Sequence, residues 1–579
     1  MKINSRNSVV CLLLFLFFVN VNGQKKVENI GSEVVNVVKP YDPTLSDAFK
    51  IKEIPKLNDV ENSKKIALKY NIFSFPVAST FSPAKGVASD LAPTIKPIFF
   101  KNYLSIGLGN YNSANIDFFI NKNIGENQFF RAMLRHESSQ GGIRNIDLKN
   151  HFYITNMDLA YENNQEYYTF KTDIGLENMI YNWYGLPQDF GINLLPADKQ
   201  LLLNTINPTQ SYKGVYGSGT IIFKDNFFKD INLKYNRFWD DYGSIENRFI
   251  SKSNFEIAIK DEIIKTDINI DYVAGSFKNK VFDAQYNVLN LCLNPNYNYK
   301  LEDLTVNLGL NLVLGADYIN TKNRLFLYPK ITASYKIVSD YMIVFGGIEG
   351  NLNQNSYRNL VQQNPFLSPT LLIAPTDSQY NLSFGLMGKL SNLIAYNISG
   401  SFLNEVNRAL FKSNDYSETL GNPNFSFGNS FKVVYDNLKT VSLKGELKAS
   451  FSKNIECSIG GTYNSFNTNF EQEAWNLPQI QIDAATNLIF SEKWFAGVNL
   501  YFVGERKDFQ TNLLVLGNNK TQILDAFFDI NCNVGYNHSK QLTAFLKANN
   551  IANQGYQKWL NFPVQQFQLV LGAAYKFDF

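Results

Sequence analysis

The sequence predicts an all-β fold, a transmembrane antiparallel β-barrel of about 22 strands behind a short extended N-terminal segment. Three observations carry this. Aromatic residues make up 15% of the 579 positions, with 47 Phe and 32 Tyr, while charged residues are held to 18%. Beyond the N-terminus no apolar run reaches the ~18 residues a membrane helix needs. From residue 99 to the end, apolar and polar side chains alternate one by one in segments that recur about every twenty residues, the pattern of half-buried strands.

Residues 1–23, MKINSRNSVVCLLLFLFFVNVNG, set Lys2 and Arg6 before an apolar core from Val9 to Val19, with small or polar residues ahead of Gln24. This is the build of a secretory signal peptide cleaved after Gly23, and its apolar run is short for a membrane anchor. Cys11 opens that core instead of following it, which excludes it as a lipid attachment site. The chain has 54 basic and 51 acidic residues. With Lys2 and Arg6 lost in the leader, the remainder is close to neutral, and nucleic acid is not an expected partner.

Residues 24–98 form the second region. Pro40, Pro43, Pro55, Pro76, Pro83, Pro93 and Pro97 rule out a long helix or a central strand there. The segment reads as extended, periplasmic or inside a lumen. Its stretch from Tyr70 to Phe81 (Tyr70, Ile72, Phe73, Phe75 and Phe81) is apolar enough to dock against another surface.

Residues 99–579 carry the barrel pattern. In one segment Ile264, Ile268 and Ile270 face one way and Lys265, Asp267, Asn269 and Asp271 the other. The series Leu304, Val306, Leu308, Leu310, Leu312, Leu314, Ala316, Tyr318 runs against Asn307, Gly309, Asn311 and Asp317. Val441, Leu443, Leu447, Ala449 and Phe451 oppose Ser442, Lys444, Glu446 and Lys448. Strands of about 9–11 residues with apolar side chains toward lipid, polar ones toward a wet lumen and aromatic residues at the headgroups have this signature. A soluble sandwich or propeller also alternates, but its strands are shorter and no blade-like repeat is present. Between 22 and 24 segments can be counted, even numbers are the rule for single-chain bacterial barrels, and about 22 residues per strand with its connection favours 22. Long connections are expected over 176–209, 352–376, 407–429 and 505–520, on the outer side if the chain enters from the periplasm.

Little points to catalysis or metal. Cys292, Cys457 and Cys532 are far apart, with neither a disulfide framework nor zinc-ligand spacing. His136, His151 and His538 are scattered, and the run His136, Glu137, Ser138, Ser139 reads as a wet rim and not as a nucleophile with its base. Asp525 with Asp529, and Asp267 with Asp271, are expected to wet the lumen, since no calcium-type loop surrounds them. No catalytic residue, metal site or cofactor is assigned.

The final segment is the most informative. Phe567, Leu569, Leu571, Ala573, Tyr575, Phe577 and Phe579 alternate with Gln568, Val570, Gly572, Ala574, Lys576 and Asp578, and the chain stops on the aromatic. This resembles the C-terminal insertion signal of Gram-negative outer-membrane barrels, carried here by Tyr575, Phe577 and Phe579. Upstream, QLTAFLKANNIANQGYQKW followed by LNFPVQQFQLVLGAAYKF resembles the closing two strands of TonB-dependent receptors, with Asn549, Asn550, Ile551, Asn553 and Tyr556 in the Asn-rich turn. Asn422-Pro423-Asn424-Phe425 is similar to an Asn-Pro turn of that family, without its usual Pro-Glu continuation. The resemblance covers 99–579 at the level of fold and 484–579 at the level of motif.

It implies an outer-membrane location, contact with membrane lipid and lipopolysaccharide, and a transport or receptor role for a substrate the sequence does not identify. It also implies a globular plug, for which residues 24–98 are too short, so the plug is expected to be missing or reduced to a strap. Glu33, Val34, Val35, Asn36, Val37 and Val38 resemble the short box that engages the periplasmic energy-coupling protein by strand addition, although β-branched residues in an extended linker look the same. A 22-stranded barrel is too wide to stand open, and the filler is the Tyr70–Phe81 segment, the loops or a partner. The alternative role is a structural or accessory barrel, without a plug, in a complex of envelope proteins.

Overall fold

Side chains on a strand point alternately to its two faces, so a sheet with one greasy and one charged face must separate an apolar medium from water. The computed structural model describes residues 100–579 apart from 261, 279–282 and 515–518. In it the alternating segments form a single antiparallel sheet of 22 strands, each paired with its neighbours in the chain. The first strand, Asn102–Gly109, pairs with the last, Gln568–Phe577, from Asn102↔Phe577 to Gly109↔Val570, and this closes the ring. Closure leaves no sheet edge free to pair with another chain. The signal peptide and residues 24–98 lie outside the described residues.

The outward face is the apolar one. Leu308, Leu310 and Leu314 are exposed on the strand Leu304–Asp317, while Asn311 and Val313 beside them are buried toward the interior. Val441, Leu443, Leu447 and Phe451 are likewise exposed on Phe431–Ser452. A continuous belt of this kind would be an aggregation surface in water and is the requirement of a membrane-spanning wall. The inward face carries ion pairs: Arg248 with Asp271 at 2.6 Å, Lys229 and Lys265 on Glu256 at 3.1 and 3.3 Å, and Arg131 on Glu162. Cys292 faces inward against Val313, Tyr328 and Leu352, and all three described cysteines are free thiols.

The two rims differ. At one, strands are joined by turns as short as 126–127, 302–303, 392–393 and 453–454. At the other, the connections 183–208, 354–375, 414–430, 504–526 and 550–567 are long. These match the long connections expected from sequence, with 550–567 in addition. The first strand begins, and the last ends, at the short-turn rim. Trp494 and Tyr536 pair there with ring centroids 4.8 Å apart, an aromatic contact of the girdle type. Two small hairpins stand outside the ring, Arg506–Thr511 with Asn519–Leu524, and Gln557–Trp559 with Phe562–Pro563. The first of them moves Asp525 off the wall: the barrel strand starts at Phe527, so Asp525 belongs to a long connection and not, as expected, to a lumen-facing strand.

Candidate ligand site at the long-loop mouth

The long connections contain many aromatic and aliphatic residues, and a solvated loop would leave these in water. They fold inward instead. The connection 354–375 forms a short helix, Tyr357–Gln363, capped by Ser356, whose side chain accepts from the Asn359 N–H. Its buried residues Tyr357, Leu360 and Val361 meet the wall, with Phe238 and Tyr212 packed edge to face against Tyr357. The first backbone N–H groups of a helix lack intrahelical acceptors and carry partial positive charge. Buried Glu246 supplies the acceptor here: Oε2 takes the N–H of Tyr357 at 2.5 Å and the hydroxyl of Tyr286 at 2.7 Å, and Oε1 takes the N–H of Arg358 at 3.2 Å. The Tyr357 hydroxyl donates to Asp240 at 2.7 Å, and Arg358 pairs with Glu177.

Loops from opposite walls then meet. The connection 183–208 joins the fifth and sixth strands of the ring and 414–430 joins the fifteenth and sixteenth, ten places on in a cycle of 22. Phe190 packs edge-on to Phe427, the N–H of Gly191 donates to Glu418 at 2.9 Å, the Tyr416 hydroxyl to Asp189 at 2.7 Å, and Asn429 to the carbonyl of Trp183 at 3.2 Å. From a third position, Phe562 stacks on Phe366 at 3.8 Å, and the Tyr184 hydroxyl donates to the carbonyl of Pro563. Trp183, Leu367, Phe431 and Phe562 are fully buried in the resulting core. The mouth is therefore spanned by a packed layer made from the protein's own loops.

Polar groups tie the hairpin Arg506–Thr511 into this layer. Asp508 is completely buried and accepts from Asn476 Nδ2 at 2.8 Å, the Ser413 N–H at 2.9 Å and its neighbour's N–H. Burial dominates over these donors, and the carboxyl is pushed up to about 6. Arg506 donates to the carbonyls of Lys558 and Gln557 at 2.5 and 2.7 Å, which couples the two small hairpins.

Among these loops an open cleft of about 720 Å³ remains. It is bounded by residues 187–189, Tyr416, the strand Asn519–Leu524 and residues 554–557. A smaller cavity of about 250 Å³ lies among His151, Tyr181, Tyr184, Asp529 and Gln565, and Tyr556 borders both. The Tyr556 ring lies parallel on Phe527 with centroids 3.8 Å apart, and its hydroxyl donates to Asp529 at 2.8 Å. Burial, reinforced by that carboxylate, holds the phenol well above its ordinary value. The Arg506 guanidinium lies over the Phe527 ring, 5.3 Å from its centroid.

Of the residues singled out from sequence, Glu33–Val38 and Tyr70, Ile72, Phe73, Phe75 and Phe81 lie outside the described residues. Tyr575 and Phe577 sit on the closing strand, opposite Leu104 and Asn102 of the first. Phe579 lies past the last pair, 82% exposed, its ring 5.4 Å from that of Phe577. In the run His136 to Ser139, Glu137 is exposed as a wet rim expects, and the two serines depart from it. Ser138 and Ser139 are buried, Ser139 accepting from Gln565 Nε2 at 2.8 Å, because the connection 550–567 folds over them. His136 bonds Thr155 instead. Among the described residues no group of three metal-ligating side chains comes together. The mouth core and the cleft were missed residue by residue, although apolar runs inside the long connections, such as Phe366 to Ile373, were the available signal.

No protein-family model and no curated protein matches this chain. Solved structures do. The ferric-catecholate import receptor Fiu from Escherichia coli K12 superposes with a TM-score of 0.61 at 9% identity over 82% of each chain. The siderophore receptor PirA from Acinetobacter baumannii gives 0.61 at 12% identity, over 83% of this chain and 81% of its own. The pyoverdine outer-membrane receptor FpvA from Pseudomonas aeruginosa PAO1 gives 0.60 at 12%, over 83% and 78%. At such identities the likeness is one of fold, and it agrees with the resemblance to TonB-dependent receptors read from the C-terminal strands. The chain is a β-barrel of the Gram-negative outer-membrane type, with short turns at one rim and long connections at the other.

Proposed function

We propose that this barrel is an outer-membrane receptor that takes up a small ligand from outside through a gate made of its own loops. The observation that carries the reading is the shared core between connections 183–208, 354–375, 414–430 and 550–567 across the mouth. A structural barrel needs only a wall. A mouth closed by loops that also frame a cleft suits capture followed by opening, the lid behaviour of binding and transport proteins. The iron chelates that Fiu, PirA and FpvA are described with support uptake as the kind of activity and do not identify the ligand here.

On this reading Glu33 to Val38 engage the energy-coupling protein by adding a strand to it, and Tyr70 to Phe81 dock in the lumen beneath the loop layer. The test is a chromosomal deletion of residues 33–38, with depletion of medium components compared against the parent and against deletion of the whole gene. The two deletions are expected to lose uptake of the same compound. Full uptake with residues 33–38 removed overturns the coupling role. Recovery of stoichiometric envelope partners from mild detergent, with uptake unchanged on deleting the gene, would favour the accessory barrel instead.

A further inference from the structure

We infer that the 720 Å³ cleft takes a neutral, hydroxyl-rich ligand of the short-oligosaccharide class; this deepens the receptor reading and rests on it. The volume is in the ordinary range for a small-ligand site. Seven carboxamides line it, each of which offers a donor and an acceptor side by side, and Gln510, Asn512, Gln557 and Asn561 among them bond within the loop layer. That pairing suits vicinal hydroxyls, which also donate and accept. The side chains of Gln188, Gln522 and Gln554 line the cleft and make no hydrogen bond to other described residues, so their polar atoms are available to a ligand.

Charge argues the same way. The lining holds Lys520 against Asp189 and Asp525, and Asp189 already accepts from Tyr416. An anionic ligand would meet one cation and two carboxylates there, with no guanidinium fork to fix it. An apolar ligand would bury the unpaired carboxamides of Gln188, Gln522 and Gln554 without partners. A peptide bound through its side chains would need apolar pockets at alternate positions, whereas Leu524 and Leu560 are buried in the loop layer and leave Ile523 as the exposed aliphatic side chain of the lining.

The aromatic element completes the site. The Tyr556 ring stacks on Phe527 at 3.8 Å with the Arg506 guanidinium 5.3 Å from the Phe527 centroid, and the half-buried Tyr556 lines the cleft. A tyrosine ring in a cleft wall is a platform on which the C–H face of a pyranose packs, since the ring's negative face attracts those weakly positive hydrogens. Tyr556 also lines the smaller cavity, so a sugar seated on it touches the residue the two spaces share.

The experiment uses the full chain, purified in detergent and labelled, on an array of neutral oligosaccharides built from hexose, deoxyhexose and N-acetylhexosamine units. A ferric tris-catecholate and a neutral hexapeptide serve as separate probes in calorimetry. Retention on one or more neutral glycans is expected, with affinity reduced at least tenfold by Tyr556→Ala, about threefold by Gln188→Ala or Gln522→Ala, and little changed by Tyr556→Phe. The glutamine positions lie at the cleft surface, so they remain informative if Tyr556→Ala disturbs the loop layer. No glycan retained, or binding only of the chelate or the peptide, overturns the ligand class, as does glycan binding that none of the variants alters. Because uptake in the deletion strains is read independently, a failed ligand class with uptake still lost leaves the receptor reading standing, and unchanged uptake sinks that reading by itself.

Discussion

The ring of Phe545 lies across Gly572 at the seam where the barrel closes. The two are directly opposed on the strands Leu542–Asn549 and Gln568–Phe577, and a Cβ at Gly572 would come within 2.2 Å of Phe545 Cζ and 2.4 Å of the Ile106 carbonyl oxygen. Gly275 opposite Tyr286 repeats the arrangement elsewhere in the wall. A strand glycine leaves its neighbours uncovered, and an aromatic folded over it from the adjacent strand restores the packing. At the seam this brings the last strand close enough to pair with the first.

Gly572→Val is therefore expected to impair closure. Gly217→Val is the control, since a Cβ there meets nothing within 4 Å. Heat-modifiable mobility of membrane fractions on cold SDS gels reads the folded barrel, and the seam variant should lose most of it while the control keeps it. Equal mobility for the two would refute the seam argument.

Glu246→Ala should loosen the mouth. It removes the acceptor for the N–H groups of Tyr357 and Arg358 and for the Tyr286 hydroxyl, all with an acceptor only 2% exposed, at a cost of about 2–4 kcal/mol. Limited proteolysis should cut within 354–375 much faster, and single-channel conductance in a planar bilayer should show longer open events than the parent. Unchanged protection of that loop would mean that apolar packing alone holds the helix Tyr357–Gln363.

Asp508 gives the loop layer a pH dependence. Its folded value of about 6 lies above the ordinary 3.8, so the folded chain keeps a proton through a window in which the unfolded chain has lost it. The stability this group contributes is fully present below about 3.8 and is lost as pH rises through about 6, a change of roughly 3 kcal/mol. Hydrogen exchange in 506–511 should accelerate over that interval. Asp508→Asn should flatten the dependence, and an unaltered profile in that variant would assign it to another group.

Removal of Phe579 tests the insertion signal. The residue is exposed and past the last strand pair, so its loss should leave refolding into detergent unaffected. Assembly in cells should nevertheless drop several-fold, read as folded barrel per total chain, and Tyr575→Ala with Phe577→Ala should reduce it further. Normal assembly of the truncated chain would refute a signal at that terminus.

Much of the wall was legible because its information is local. Leu308, Leu310 and Leu314 face out because even numbers of residues separate them, whatever lies elsewhere in the chain, and the lipid they meet has no sequence of its own to match. The connections 183–208, 354–375 and 414–430 followed from the same reading, since the alternation stops there, whereas 550–567 did not. The mouth was not legible for the opposite reason. Trp183 donates to the carbonyl of Pro365 across 182 residues, and Tyr184 to that of Pro563 across 379. No periodicity announces such a contact, and an apolar loop residue reads the same whether it meets lipid, a partner or another loop. Asp525 was misplaced because alternation continues through the hairpin Arg506–Thr511 with Asn519–Leu524, which obeys strand chemistry without joining the barrel.

By itself the sequence determined the barrel class, a count of 22 to 24 alternating segments and which face of each strand meets lipid, because a period of two settles the facing residue by residue. Only the tertiary structure decided that loops ten strands apart meet over the lumen and leave a cleft beside Tyr556. Closing the sheet into a ring sets opposite walls within reach of one another, and that proximity belongs to the ring and to no segment of the chain.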